Sequence, residues 1–112
     1  LWVRLVDVPV ALAQRRYAAP GAVVLEVTDA VCDWNTGRYL LDATGAVAGC
    51  ERTDRAPELE LSVTELGAAF LGGTRLGSLA AAGRVVEHVP GALARADAMF
   101  AWSPLPACPE VF

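Results

Sequence analysis

The side chains able to do chemistry are few and far apart. The 112 residues hold one histidine, His88, three cysteines, Cys32, Cys50 and Cys108, and no lysine. A Ser-His-Asp arrangement would have to recruit His88, which lies in the Val-rich run Val85-Val86-Glu87-His88-Val89 and reads as a packed or edge residue rather than a base. The cysteines form no C-x-x-C pair, and with a single histidine a zinc site would lack ligands. Cys32 and Cys108 adjoin no cation or helix start that would activate a thiolate, so reduced, unreactive thiols of a cytoplasmic protein are the expectation. The carboxylate pairs Glu58/Glu60 and Glu51/Asp54 fit a solvated strand face and a turn, and Arg15-Arg16 fits the exposed side of a helix. Gly72, Gly73 and Gly77 lack the lysine of a P-loop and the spacing of a dinucleotide fingerprint, and read as helix stops and close packing.

What remains is the last stretch, Phe100-Ala101-Trp102-Ser103-Pro104-Leu105-Pro106-Ala107-Cys108-Pro109-Glu110-Val111-Phe112. Its three prolines fix φ and remove three backbone donors, which disfavours both helix and central strand. The segment ends on Phe112, whose α-carboxylate would sit at the tip of a stiffened apolar arm. Two readings stay open on pattern alone: an arm delivered to a partner surface, or a tail lying along its own domain.

The elements that would carry these groups follow from periodicity. Leu1 to Val6 alternates as a strand, and Asp7 is a good N-cap for a helix running to about Ala18, with Pro9 tolerated in its first turn. Pro20-Gly21 breaks that helix. Val23, Leu25 and Val27 alternate with Val24, Glu26 and Thr28, a strand with one wet face. Asp29 to Gly37 reads as a loop around Trp34. Arg38 to Asp42 and Val47 to Thr53 form a hairpin across Ala43-Thr44-Gly45-Ala46, and Glu58 to Val63 is a further strand. Ser62 and Glu65 have capping-box spacing ahead of Leu66, Ala69 and Phe70. Thr74 is placed to cap a short helix stopped by Gly83. Val85 to Val89 reads as a short strand, and Pro90-Gly91 opens a last helix with Leu93, Ala96 and Phe100 on one face. The expected fold class is α+β: a mostly antiparallel sheet with helices packed on one face.

Length allows one domain, spanning residues 1–112. A hydrophobic content of 54% beside 20% charged residues suggests surface reserved for other domains or subunits. The net charge of −4, with every cation an arginine and no basic run, argues against nucleic acid. Apolar runs fall far short of the ~20 residues of a membrane span, and no signal peptide is visible. The start at Leu1, inside a strand pattern, leads us to expect a piece of a longer protein.

Three blocks carry a resemblance. Leu1-Trp2-Val3-Arg4-Leu5-Val6-Asp7-Val8-Pro9, Glu65-Leu66-Gly67-Ala68-Ala69-Phe70-Leu71-Gly72-Gly73 and Cys108-Pro109-Glu110-Val111-Phe112 resemble the C-terminal domain of Eis-type N-acetyltransferases of the GNAT superfamily. The resemblance implies a sterol-carrier-protein-like fold following two acetyltransferase-like domains. It implies acetylation of aminoglycoside or lysine amines with acetyl-CoA, and homo-oligomers, often hexamers. It further implies that the α-carboxylate of Phe112 enters the acetyltransferase site as general base, so that this chain alone would be inert. No Arg or Gln here is followed three positions later by Gly, so the usual acetyl-CoA loop is not in this chain and the cofactor would bind upstream. The alternatives are a lipid or sterol carrier module and an oligomerisation scaffold.

Overall fold

The computed structural model describes residues 7–31, 33–45, 47–70 and 74–101. The strand expected over residues 1–6, Cys32, the Gly72-Gly73 stop, Cys108 and the tail ending at Phe112 lie outside the described residues.

The first helix, α1 (Val8–Gln14), is set by Asp7, whose carboxylate accepts the Val10 N–H at 3.3 Å. Val8 and Leu12, one turn apart, are its buried face. The helix stops at Gln14, short of the expected Ala18, because Arg15 turns to extended backbone (φ −79°, ψ 147°) and spends its side chain on other helices. Four strands follow: β1 (Ala22–Thr28), β2 (Gly37–Asp42), β3 (Gly49–Arg52) and β4 (Leu59–Ser62), with a 3-10 turn at Asp33–Asn35. Then come α2 (Val63–Phe70), α3 (Leu76–Ala81), β5 (Val85–Glu87) and α4 (Ala92–Phe100).

The five strands form one sheet in the order β3-β2-β1-β4-β5. β1 and β4 pair in parallel and every other pair is antiparallel. Val23, Leu25 and Val27 of β1, Tyr39 and Leu41 of β2, Leu59 and Leu61 of β4 and Val85 of β5 point to one face. There they meet Val8 and Leu12 of α1, Leu66 and Phe70 of α2, Leu76 of α3 and Ala96 and Met99 of α4. The core is therefore a single layer between sheet and helices, as the alternating patterns predict. The opposite face is less wet than expected at one position. Val24, placed with Glu26 and Thr28, is only 4% exposed. It lies across from Leu40, and its backbone is held by Glu58, whose carboxylate accepts the Val24 N–H at 2.9 Å.

Three local devices differ from their sequence reading. The box at Ser62 and Glu65 closes on one side: Glu65 Oε1 accepts the Ser62 N–H at 3.2 Å, while the Ser62 hydroxyl donates to the same carboxylate instead of accepting a backbone donor. Glu65, almost fully buried, takes its remaining partner from Arg84 Nη2 at 2.9 Å. Thr74 does not cap α3. The carboxylate of Asp97, on α4, accepts the N–H groups of Leu76 (2.6 Å) and Gly77 (2.9 Å). Both arms of the hairpin form, but β3 is shorter than expected and Val47 stands exposed in the connection.

Two turns use the glycine freedom that the pattern anticipates: Gly83 at φ +78° follows α3 and Gly91 at φ +91° precedes α4. Glu87 supplies the missing cap of α4, its carboxylate accepting the Leu93 N–H at 2.8 Å. Asn35, fully buried, joins three elements. Its side-chain oxygen accepts the Val8 N–H, its amide donates to Asp29, and its carbonyl accepts the Tyr39 hydroxyl.

Candidate functional site

Where the last described residues emerge, one side chain gathers three helix ends. Arg15 donates Nε–H to the Phe70 carbonyl at 2.7 Å and Nη2–H to the Phe100 carbonyl at 3.0 Å. Its third bond, from Nη1, goes to its neighbour Arg16 at 2.7 Å. Phe70 and Phe100 are the final residues of α2 and α4, so the guanidinium meets the carbonyl ends of two helices. A cation at two helix C-termini is also favoured by both macrodipoles. The flat guanidinium carbon lies 5.1 Å from the Tyr17 ring centroid, 5.9 Å from Phe70 and 5.0 Å from Phe100.

The rings reinforce one another. Tyr17 meets Phe100 edge-on, with centroids 5.4 Å apart and planes at 84°. The Tyr17 hydroxyl donates to the Leu12 carbonyl at 2.6 Å, and burial pushes that phenol well above its ordinary range. Burial also lowers the Arg15 pKa, partly opposed by Tyr17, though a guanidinium starts so high that it stays charged. The adjacent peptide is fixed as well, because Ala18 N–H donates to the Met99 carbonyl at 2.9 Å. Reading Arg15 as an exposed helix side is thus corrected: it is half-buried, lies just beyond α1, and anchors the end of α4.

The other sequence candidates are brought into contacts that hold the fold. His88 sits one residue past β5 on the surface, with Nε2 2.9 Å from Glu60 Oε1. Glu58 is not simply a solvated strand residue, since it pairs with Arg95 Nη1 at 3.2 Å as well as holding Val24. Cys50 packs against the core, and burial pushes its thiol up to about 12, leaving it protonated and unreactive at neutral pH. Among the described residues no group of three His, Cys, Asp or Glu side chains could hold a metal ion.

Two ligand questions can be put to the geometry. The N–H groups of Leu76 and Gly77, at the start of α3, are already taken by Asp97, so an anionic phosphate there would have to displace a carboxylate. The start of α3 therefore offers no free pair of backbone donors to a pyrophosphate. A groove of about 610 Å³ runs between α1 and the β2–β3 hairpin, lined by Leu40, Val47 and Cys50 but also by Asp42, Thr44 and Glu51. Asp42 there is drawn below its usual range by hydrogen bonds from the Thr44 hydroxyl and N–H. An acidic, solvent-open groove is a poor lipid site. The layer between sheet and helices, where a carrier would open, is filled by Tyr39, Leu25, Leu12, Leu66 and Met99.

A family model of the sterol carrier protein domain matches residues 8–109. The chain belongs to the sterol carrier protein domain family. Its relatives place this domain inside larger proteins. Over all 112 residues it is 55% identical to an uncharacterized N-acetyltransferase of Streptomyces coelicolor, covering 27% of that protein. Over 104 residues, 90% of this chain, it is 39% identical to the N-acetyltransferase Eis of Mycobacterium tuberculosis, covering 24% of it. The solved structure of Eis1 from Mycobacterium abscessus superposes with a TM-score of 0.82 at 37% identity, over 91% of this chain and 25% of that one. The sterol carrier protein domain described here thus spans about a quarter of the length of the relatives it matches, and corresponds to their C-terminal part. A GCN5-related N-acetyltransferase from Anabaena variabilis shares the fold, with a TM-score of 0.81 at 24% identity over 89% of this chain and 26% of that one.

Proposed function

We propose that this domain works as the C-terminal part of an acetyl-CoA-dependent amine N-acetyltransferase, acting on aminoglycoside or lysine amines in the cytoplasm. In this reading the α-carboxylate of Phe112 is the general base, the domain adds contacts within a homo-oligomer, and the chain alone has no turnover. The observation that carries the reading is the 55% identity across all 112 residues with a protein named as an N-acetyltransferase. Because no Arg or Gln of this chain is followed three positions later by Gly, this reading assigns the acetyl donor to the upstream domains and leaves this chain the amine.

The task has a physical cost that shapes it. An α-carboxyl titrates near ~3.5 and an alkylammonium near ~10.4 in water, so direct proton transfer between them would be uphill by about 9 kcal/mol. Burial raises the carboxyl and lowers the amine, which brings the two together. Before any proton moves, the carboxylate attracts the ammonium and helps orient it. A water can relay the proton as well as direct contact.

The test is one glycine added after Phe112 in the full-length protein. It displaces the carboxylate by a residue without touching the described fold. Turnover should fall by about 100-fold or more, the range for losing a general base. An unchanged kcat would remove the proposed role of Phe112.

A further inference from the structure

The loop between β1 and β2 is heavily pinned, yet it turns its largest side chain outward. Thr36 clasps Asp29 twice, its hydroxyl accepting the Asp29 N–H at 3.0 Å and donating to the Asp29 carbonyl at 3.3 Å. The Asp29 carboxylate in turn accepts the Val31 N–H and the Asn35 amide, each at 3.0 Å. Arg52, on β3, donates to the carbonyls of Trp34 and Thr36, and its guanidinium carbon lies 5.1 Å from the Tyr39 ring centroid. A Cβ on Gly37 would collide with Arg52 Nη1, so glycine is what admits that guanidinium. On this braced frame Trp34 is 57% and Val31 79% exposed. Trp34 is the one aromatic among the large apolar side chains that stand exposed in the described residues. A loop already ordered docks at little entropic cost, and tryptophan is among the residue types enriched where interfaces concentrate their energy.

The same loop sits where the chain enters the domain. Asn35 Oδ1 accepts the Val8 N–H at 3.1 Å in a buried bond, so the start of α1 is one hydrogen bond from the residue after Trp34. Residue 1 lies within ~22 Å of Asp7 whatever path the chain takes, because each residue spans at most ~3.6 Å. The relatives are about four times as long as this chain and match it in their C-terminal part, so most of such a protein precedes that entry point. Covalent connection holds whatever precedes residue 1 near Trp34, at high effective concentration. We propose that Trp34 and Val31 are the anchor by which this domain docks on the part of the same polypeptide that precedes it, seated in an apolar socket there. A second copy of the chain would meet the loop without that tether. The inference does not use the role read for Phe112; it rests on the domain's place in the C-terminal part of a longer protein.

The experiment uses the full-length protein and amide hydrogen exchange read by mass spectrometry. Four forms are compared: parent, Trp34→Glu, Trp34→Ala and, as a control on the edge strand β5, Val86→Glu. In Trp34→Glu a segment preceding residue 1 should exchange at least ~10-fold faster, while the four helices of this domain keep their protection within ~2-fold, as local undocking requires. Trp34→Ala should act on the same segment in the same direction, and Val86→Glu should leave it unchanged. Sedimentation should give all four proteins the same assembly mass. Unchanged exchange before residue 1 in Trp34→Glu would overturn the proposal, as would an equal effect of Val86→Glu. A lower assembly mass for Trp34→Glu assigns the loop to a contact between copies and also overturns it. If both Trp34 variants lose protection throughout this domain, Trp34 serves its own fold and the anchor is refuted.

Discussion

Asp97 offers a quantitative test because it does two incompatible jobs for one neighbour. Its carboxylate accepts the Leu76 and Gly77 N–H groups at 2.6 and 2.9 Å, capping α3 from the opposite helix. A Cβ built on Gly77 would fall 2.9 Å from Asp97 Oδ2, so the cap occupies the space that any larger side chain needs. Removing the cap by Asp97→Ala loses two charge-assisted bonds in a half-buried setting. Caps are worth ~0.5–2 kcal/mol and hydrogen bonds to charged groups ~1.5–3, so we expect a loss of about 2 kcal/mol. For a domain of this size that corresponds to a fall in Tm of about 8 °C. Gly77→Ala in the parent should be neutral or destabilising, because the helix propensity gained, ~0.5–1 kcal/mol, is offset by the displaced cap. In the Asp97→Ala background the same change should stabilise by that ~0.5–1 kcal/mol, since nothing then fills the space. Urea denaturation of the four proteins gives the cycle. A Gly77→Ala effect of the same sign and size in both backgrounds would refute the packing conflict, and an Asp97→Ala loss below ~0.5 kcal/mol would refute the cap.

Three further outcomes follow from side chains already placed. Glu65→Ala leaves the Ser62 N–H and Arg84 without their shared acceptor, and should cost ~2–3 kcal/mol in urea unfolding; a loss under ~1 would show that the buried carboxylate contributes little net stability. Cys50, with its thiol at about 12, should react with iodoacetamide at pH 8 on the order of 1000-fold slower than in the urea-unfolded chain, measured by peptide mass spectrometry. Its folded pKa lies above the unfolded value, so the associated stability is complete below pH ~9 and fades as pH rises toward about 12; Cys50→Ala should flatten that part of the alkaline fall, and an unchanged slope would contradict it. His88→Ala should change stability by no more than ~0.5 kcal/mol, as expected of an exposed pair with Glu60, and leave full-length turnover at the parent value; a large kcat loss would restore His88 as a catalytic candidate.

The features legible in the sequence share a physical origin, and so do those that were not. Alternation in β1 and β4, the Asp7 cap, and the glycines at Gly83 and Gly91 are local signals, and the structure places them where pattern predicts. The α+β class with a mostly antiparallel sheet could be read from the local patterns, whereas the likeness to sterol carrier proteins came from the family resemblance. Arg15 and Asp97 carry no local signal. Arg15 looks like any arginine at the end of a helix, yet its partners are 55 and 85 residues away. Asp97 caps a helix whose first residue lies 21 positions earlier, so a search beside that helix finds Thr74 instead. Val24 alternates with the core face and yet is buried, which period-2 patterning in a central strand does not reveal. The tail was conspicuous by its prolines and aromatics, but the chemical role proposed for Phe112 comes from family resemblance and not from its composition.

The central claim is that a backbone carboxylate at Phe112 acts on the amine in a full-length acetyltransferase. Semisynthesis can convert that carboxylate to a carboxamide, which preserves shape and hydrogen-bonding reach while removing charge and basicity. The account predicts that kcat of the full-length protein falls by ~100-fold or more, with folding and assembly intact. A carboxamide enzyme turning over at the parent rate would contradict it.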